Sequence, residues 1–207
     1  MPVWTIAAQE GSGGERVAAA LAAAAGASML DRGTLARFAC ELDPAIGDTD
    51  GLEERVGGVI NMSALSVAIT AGYAEAFREL QLRRTLPDLG RRIFSEAARA
   101  PCVILAAAGF AALAQHPSAI HVRLWAPLEW RIRAYQRDRI VDRRCAEKAV
   151  RHDDHVKRTW VKTLYGADVE NWGLFTLALD ASRVCERRVV ETLLAAAGVT
   201  AVVSTPL

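Results

Sequence analysis

The chain has 207 residues, of which 52% are apolar and 24% are charged, and its formal net charge is +1. This composition is typical of a globular protein and excludes an intrinsically disordered chain. A net charge so close to zero gives no overall field that would attract nucleic acid, so we expect no nucleic-acid partner, and an anion site has to come from a local cluster of basic residues. The length predicts a single domain spanning residues 1–207.

Short apolar runs alternate with amphipathic segments along the chain. The predicted strands are residues 3–7, 28–30, 102–106, 120–125 and 174–179, with a last strand or extended tail at 199–204. The predicted helices are residues 15–25, 31–40, 59–86, 87–100, 128–166 and 183–197, and residues 44–58 form a loop with a short helix. Buried apolar strands separated by helices predict an α/β fold of the doubly wound type, with a central parallel sheet covered on both faces.

The four cysteines include no CxxC pair, so we predict neither a zinc nor a redox motif. Each falls in a segment predicted as helix or strand, where buried free thiols are common, and we expect reduced structural cysteines. They are Cys40, Cys102, Cys145 and Cys185.

No targeting segment is predicted. The N-terminus lacks a basic region and soon reaches Gln9 and Glu10, unlike a signal peptide. The longest apolar stretch, residues 17–30, is interrupted by Gly26 and is too short to cross a bilayer. We therefore expect a cytoplasmic protein with no membrane partner.

A glycine-rich turn joins the first predicted strand to the first predicted helix. Such a turn presents backbone N–H groups and a positive helix end to a phosphate. In a Walker A loop, GxxxxGK[ST], a lysine neutralises the terminal phosphates, but here Gly14 takes the lysine position if Gly13 is the last glycine of the motif. The candidate phosphate-binding residues are Gly11, Ser12, Gly13, Gly14, Glu15 and Arg16.

Two alternatives stay open for this turn. A glycine-rich turn before a helix also has purely structural uses, and Glu15 is favoured by the helix dipole as a first-turn acid without any role in binding. Arg16 is the nearest cation, and it replaces the missing lysine only if its side chain turns back toward the loop.

The second predicted strand leads into Leu30-Asp31-Arg32-Gly33-Thr34-Leu35-Ala36-Arg37. This segment resembles the Leu-Asp-Ser/Thr-Gly-Ala-x-Tyr-Arg motif of nucleoside monophosphate kinases of the cytidylate type. The resemblance implies that Asp31 helps bind the acceptor nucleotide and that Arg37 reaches its phosphate. The alternative is an N-capping aspartate and a solvated arginine.

The sequence resembles a divergent branch, the cytidylate kinase-like proteins, more closely, and this resemblance extends from Val3 to about Ala197. That branch also has Gly-Ser-Gly-Gly in place of the lysine loop, and its motif Ala-Pro-Leu-Glu-x-Arg is present here at 126–131. Two arginines of the branch are missing here. Ala8 replaces the arginine before the loop, and Ala107 replaces the arginine of the Gly-Arg pair after the strand at 102–106.

Arginines are concentrated after residue 130, at Arg131, Arg133, Arg137, Arg139, Arg143 and Arg144. In kinases of this fold such a helical hairpin forms a lid, so the resemblance implies an arginine-rich lid at about 131–165. Guanidinium groups suit a lid because they stay charged and bind phosphate oxygens bidentately. The alternative is a solvated helix face, because acidic residues are interspersed with the arginines.

Helical spacing places Asp154, Lys157 and Arg158 near one face of the predicted lid. These three residues either meet one ligand or pair with each other at the surface. His152 and His155 flank two aspartates, but a solvated helix face explains them better than a metal site does, and we predict no metal ligands.

The resemblance implies a P-loop kinase-like three-layer fold, with a helical acceptor region at about 31–90. The implied function is transfer of a phosphoryl group from ATP with Mg²⁺ to a small phosphorylated or anionic acceptor, such as CMP. The alternatives are a nucleotide- or anion-binding regulatory protein without phosphotransfer, and an enzyme repurposed for another anionic substrate. The expected catalytic cations are Arg131, Arg137, Lys157 and Arg158. The apolar stretch at 59–73 predicts a partner surface, for which we expect a homodimer.

Overall fold

The computed structural model describes residues 1–31, residue 34 and residues 87–199. The described strands form one sheet in which every pairing is parallel, and their order across it is β2-β3-β1-β4-β5. The strands are β1 (Val3–Ala8), β2 (Ser28–Leu30), β3 (Cys102–Leu105), β4 (Ala119–Trp125) and β5 (Leu177–Asp180). The predicted parallel sheet is thus confirmed, with β1 at its centre.

Helices cover the sheet, and three of them lie close to the predicted bounds of 15–25, 87–100 and 183–197, whereas the short helix at 109–112 was not predicted. The helices are α1 (Gly14–Ala25), α2 (residues 87–97), α3 (Gly109–Ala112), α4 (Leu128–Arg139), α5 (Arg143–Tyr165) and α6 (Glu186–Ala196). Helix α1 begins after Gly13 and ends at Gly26, and both glycines adopt the left-handed conformation. Glycine adopts this conformation without the strain that a Cβ atom adds.

The predicted helix at 128–166 is interrupted once. Ile140 adopts a left-handed conformation, with φ 53°, and ends α4. Asp142 then caps α5 by accepting a hydrogen bond from the Cys145 N–H at 2.8 Å. The interruption converts one long helix into the hairpin α4–α5 that the lid interpretation requires.

The fifth strand begins later than predicted. A 3₁₀ turn occupies Trp172–Leu174, and β5 starts only at Leu177. The Asn171 side chain caps this turn by accepting a hydrogen bond from Gly173 N–H at 3.1 Å. Local capping therefore delays the start of the strand that the apolar run at 174–179 predicts, and residues 177–179 of that run lie in β5.

The two faces of β1 pack against different helices. Trp4 and Ile6 are fully buried against α1 and α6, and the Trp4 indole N–H donates to Leu193 O at 3.0 Å. Ala7 packs on the opposite face with Phe110 of α3 and Val161 of α5. Burial on both faces is the environment expected for a central parallel strand.

Two cysteines differ from the expected burial. Cys102 is buried in β3, whereas Cys145 and Cys185 are exposed. Cys145 lies in the first turn of α5 and Cys185 is the N-cap residue of α6, and neither position faces the core. Cys40 lies outside the described residues.

Several predictions fall outside the described residues. They are the helices at 31–40 and 59–86, the loop at 44–58, the partner surface at 59–73, the segment at 200–204, most of the acceptor region at 31–90, and Arg37. In the part of the chain that is described, no helix combines the length and the hydropathy of a membrane span.

Candidate nucleotide site

The glycine loop, residues 11–14, follows β1 at the carboxyl end of the sheet. Gly11 and Gly13 have φ values of 78° and 84°, in the left-handed region that glycine adopts without strain. Ser12 between them is buried, and both its hydroxyl and its N–H donate to Gln9 O, at 2.6 and 3.0 Å. A Cβ atom on Gly14 would overlap the Ala8 side chain. Three glycines are therefore needed for this turn.

The first turn of α1 is the positive end of a twelve-residue helix. Its first N–H groups have no acceptor within the helix, and no side chain of the described residues caps them. Gly14, Glu15 and Arg16 contribute these N–H groups, which suit an anion such as a phosphate.

Three basic side chains from three different elements converge on the backbone that enters the loop. We call Arg123 of β4, Arg131 of α4 and Lys157 of α5 the cation collar. Their donors and acceptors are Arg123 Nη1 to Ala7 O (3.2 Å), Lys157 Nζ to Ala8 O (3.3 Å) and Arg131 Nη1 to Glu10 O (3.2 Å). The collar brings positive charge to the site although the loop itself has no lysine.

Arg131 is the anchor of the collar. Its side chain is only 6% exposed, its Nε donates to Ala126 O at 3.0 Å, and its Nη1 lies 2.8 Å from an Asp154 carboxylate oxygen. A Cβ atom on Gly11 would lie only 2.5 Å from the Arg131 carbonyl oxygen, so the loop packs directly on α4. Arg131 therefore holds the loop in place in two ways. Its side chain donates a hydrogen bond to Glu10 O, and its backbone carbonyl packs against Gly11.

Lys157 is half-buried between two carboxylates. Its Nζ lies 2.7 Å from Asp153 Oδ2 and 3.8 Å from Glu10 Oε2. Asp153 Oδ2 is buried and makes an ion pair here, although no described group donates a well-aligned hydrogen bond to it. Burial raises the pKa of Glu10, and the charge of Lys157 opposes that rise.

Arg16 turns back toward the loop. A Cβ atom on Gly13 would lie 3.0 Å from the Arg16 Nη2. The guanidinium is held there by Asp138 of α4, at 2.9 Å, and by Glu186 of α6, at 3.2 Å. The Arg16 side chain thus points toward the loop, as a replacement for the missing lysine would have to do, and it is paired there with two carboxylates.

The other lid cations surround the same region and are exposed. Arg137 pairs with Asp138 at 2.9 Å, and Arg139 lies 3.9 Å from Glu15 in the first turn of α1. Arg158 lies 3.4 Å from Glu170. Each of these arginines therefore has a carboxylate as its partner.

Asp31 lies at the carboxyl end of β2 and accepts a hydrogen bond from the Thr34 N–H at 2.8 Å. This contact fits the N-capping alternative, and it leaves a role in acceptor binding as a prediction.

Sequence reasoning missed Arg123 and Glu170. The Arg123 side chain is 6% exposed and its Nη2 lies 2.9 Å from Glu170 Oε1. A signal was present, because His121 and Arg123 alternate with the apolar residues of β4 and therefore lie on one face of the sheet. That face also carries Ala7, the register partner of Arg123.

The described carboxylates do not form a metal cage. No group of three or more His, Cys, Asp and Glu side chains in the described ranges has the geometry to hold a metal ion. The buried Ser12 hydroxyl, the only hydroxyl in the loop, already donates to Gln9 O.

The central parallel sheet, the glycine loop and the helical hairpin define a P-loop kinase-like fold. The sequence matches the model of the cytidylate kinase-like family over residues 3–183. The chain therefore belongs to the cytidylate kinase-like family, as its motifs indicate.

Solved structures agree on the fold. An uncharacterized protein from Eubacterium ventriosum is 13% identical, with a TM-score of 0.64, and the match covers 96% of this chain and 99% of that one. TT1252 from Thermus thermophilus is 20% identical, with a TM-score of 0.50, and the match covers 94% of this chain and 97% of that one. A search of curated proteins found no match.

Proposed function

We propose that the protein transfers a phosphoryl group from ATP, bound with Mg²⁺, to a small anionic acceptor such as CMP. The observation that carries the proposal is the position of Lys157. Its ammonium group comes from the lid helix α5 and lies 3.3 Å from Ala8 O, at the entry to a glycine loop that lacks its own lysine. The hairpin thus supplies the charge that the loop has lost.

The donor site in this proposal is built from backbone. The N–H groups of residues 11–16 would cradle the donor phosphates at the start of α1. A bound Mg²⁺ would neutralise part of the phosphate charge, and Glu15, in the first turn of α1, would contact its water shell. Arg16 would turn from its carboxylate partners to a phosphate oxygen.

The transition state of phosphoryl transfer needs positioned positive charge more than covalent chemistry. In the proposed mechanism Lys157, Arg137 and Arg158 supply this charge when phosphates displace their present carboxylate partners. Arg131 acts by holding Glu10 O and hence the shape of the loop. Asp31 and Arg37 would bind the acceptor.

The test pairs two lysines of the same helix. Lys157→Met removes the ammonium at the loop, whereas Lys162→Met removes an exposed ammonium one helical turn further on. ATP binding is measured by calorimetry with Mg²⁺, and ADP release is measured with CMP as acceptor. We expect Lys157→Met to reduce turnover by about 10²–10³-fold and Lys162→Met to leave it unchanged. Absence of ATP, ADP and CMP binding by the wild type at millimolar concentrations would refute the proposal.

A second candidate is a nucleotide- or anion-binding regulatory protein without phosphotransfer. It is favoured by the pairing of the cations near the loop and in the lid with carboxylates, such as Arg16 with Asp138 and Arg158 with Glu170. This candidate predicts thermal stabilisation by nucleotide without ADP release. A kinase-fold enzyme repurposed for another anionic substrate is favoured by Ala8 and Ala107, and ATP consumption across a metabolite panel would identify it.

We also propose a cytoplasmic protein that forms a homodimer through residues 59–73. This surface is inferred from its apolar sequence alone. Small-angle scattering checks the dimer, and a monomeric mass across the concentration range would contradict it.

A further inference from the structure

Lys157 of the cation collar is held by an ion pair within its own helix. Its Nζ lies 2.7 Å from Asp153 Oδ2, and Asp153 precedes Lys157 by four residues in α5. Side chains of an α-helix lean toward its N-terminal end, so the lysine extends back over the turn that carries Asp153. The helix thus sets where the ammonium group lies.

Burial makes this ion pair harder to break than its spacing alone suggests. Exposed pairs four residues apart contribute little to stability. Asp153 Oδ2, in contrast, is buried, and a buried carboxylate oxygen that loses its cation is strongly unfavourable. Lys157 is therefore stabilised beside Asp153 instead of extending into water, and from there its Nζ reaches Ala8 O at 3.3 Å.

The two carboxylates near Lys157 have different roles. Glu10 Oε2 lies 3.8 Å from the ammonium nitrogen, beyond hydrogen-bond distance, and Glu10 directly precedes the glycine loop. A phosphate oxygen that approaches from the loop can replace this longer contact and leave the contacts of 2.7 and 3.3 Å in place. Glu10 is thus the partner that a phosphate displaces, and Asp153 is the partner that stays.

We infer that Asp153 is a positioning residue for phosphoryl transfer, which directs the Lys157 ammonium group to the phosphates without contacting them itself. The inference rests on the proposed function and adds one residue to its mechanism. The glycine loop lacks the lysine of a Walker A motif, so the charge comes from a separate helix. A lysine has a long, flexible side chain, and it needs a second group to fix its charge at a distant loop.

The first experiment measures the position of Lys157 without any turnover. The chain has three lysines, Lys148, Lys157 and Lys162, and all of them lie in α5. Acetylation by an N-hydroxysuccinimide ester, followed by peptide mass spectrometry, gives a rate for each. Lys148 and Lys162 are exposed, whereas the Lys157 side chain is 26% exposed, so Lys157 should react slowest in wild type. Asp153→Asn keeps the shape of the side chain, and it should bring the Lys157 rate close to the other two.

Glu147→Gln is the matched control. Glu147 pairs with Arg151 at 2.9 Å with the same spacing and on the same helix, but both side chains are exposed and neither has a role in the proposed mechanism. This variant should leave the three lysine rates and the turnover as they are in wild type. Asp153→Glu keeps the charge, so it should protect Lys157 better than Asp153→Asn does, and it replaces that variant if the asparagine prevents folding.

The second experiment measures turnover with ATP, Mg²⁺ and CMP. Asp153→Asn should reduce kcat by about 10–100-fold, because a displacement of about 1 Å at a reacting group can cost up to about 100-fold. Calorimetry should show no weaker ATP binding, because the substitution removes a negative charge and no cation. In a Lys157→Met background Asp153→Asn should cost no further turnover, because Asp153 acts only through Lys157.

An unchanged Lys157 labelling rate in Asp153→Asn would overturn the inference, whatever the turnover. A kcat that equals or exceeds that of wild type would also overturn it, because Asp153 would then be neutral or would compete with the phosphates. A further loss on top of Lys157→Met would assign Asp153 a general structural role instead. Absence of ATP binding by wild type refutes the proposed function, and the labelling rates then still decide whether Asp153 places Lys157 at the loop.

Discussion

The contact between Gly11 and helix α4 predicts an unusually large cost for a single methyl group. In Gly11→Ala the new Cβ atom would lie 2.5 Å from the Arg131 carbonyl oxygen, at a φ of 78°. The left-handed conformation costs a non-glycine residue about 1–2 kcal/mol. The overlap requires the loop or α4 to shift, and such overpacking costs a further 1–3 kcal/mol or so.

Gly26→Ala separates these two contributions. Gly26 has a φ of 62°, but nothing lies within 4 Å of its Cβ position, so only the conformational cost of about 1–2 kcal/mol applies. A difference of about 1–3 kcal/mol between the variants corresponds to roughly 2–12 °C in Tm for a domain of this size. Differential scanning calorimetry measures both melting temperatures.

The same pair of variants tests the role of the loop in binding. We expect ATP with Mg²⁺ to raise the Tm of Gly26→Ala as it raises that of wild type, and to leave Gly11→Ala unchanged, because only the second variant alters the phosphate cradle. Equal Tm losses in the two variants would show that the loop does not pack on α4, and the reasoning about Arg131 as an anchor would fail.

Three further predictions follow from charges and burial. Arg16→Ala should reduce the free energy of unfolding by no more than about 1 kcal/mol, and less in high salt, because its ion pairs are exposed; a larger loss in urea titrations would contradict this. Burial raises the pKa of Glu10 above its usual 4.5, so the folded state binds more protons there and stability falls as pH rises from about 4.5. Glu10→Gln should therefore gain stability relative to wild type as pH rises, and a constant difference would contradict the shift. Burial raises the pKa of Cys102 to about 11, so Ellman's reagent at pH 8 should label Cys145 and Cys185 but reach Cys102 only after unfolding, as peptide mass spectrometry can check.

The fold could be predicted because each strand and most helices are indicated by the sequence of a single short segment. The strands are mostly apolar segments, and the predicted strand at 3–7 differs from β1 by one residue. The break at Ile140 was not predictable, because a β-branched residue in the left-handed region has no propensity signal. β5 starts late because the Asn171 side chain caps the preceding 3₁₀ turn. This local hydrogen bond outweighs the strand preference of the apolar residues that follow.

The candidate site was only partly predictable. The glycine loop is contiguous, so its residues could be read directly from the sequence. Contacts such as Lys157 to Ala8 O join positions 149 residues apart, and no local sequence pattern predicts such a contact. Arg123 and Glu170 were missed because their pairing depends on where the loop that follows α5 meets the sheet, and that position cannot be deduced from the local sequence.

The central place of β1 has a consequence for biosynthesis. The strand is translated before both of its hydrogen-bonding neighbours, β3 and β4, which begin at Cys102 and Ala119. At about 5–20 residues per second, a ribosome needs roughly 5–20 s to synthesise the intervening 100 or so residues. During that interval Val3, Trp4 and Ile6 leave the exit tunnel without a sheet to join. The nascent chain therefore presents an apolar segment that a chaperone can bind until β3 emerges.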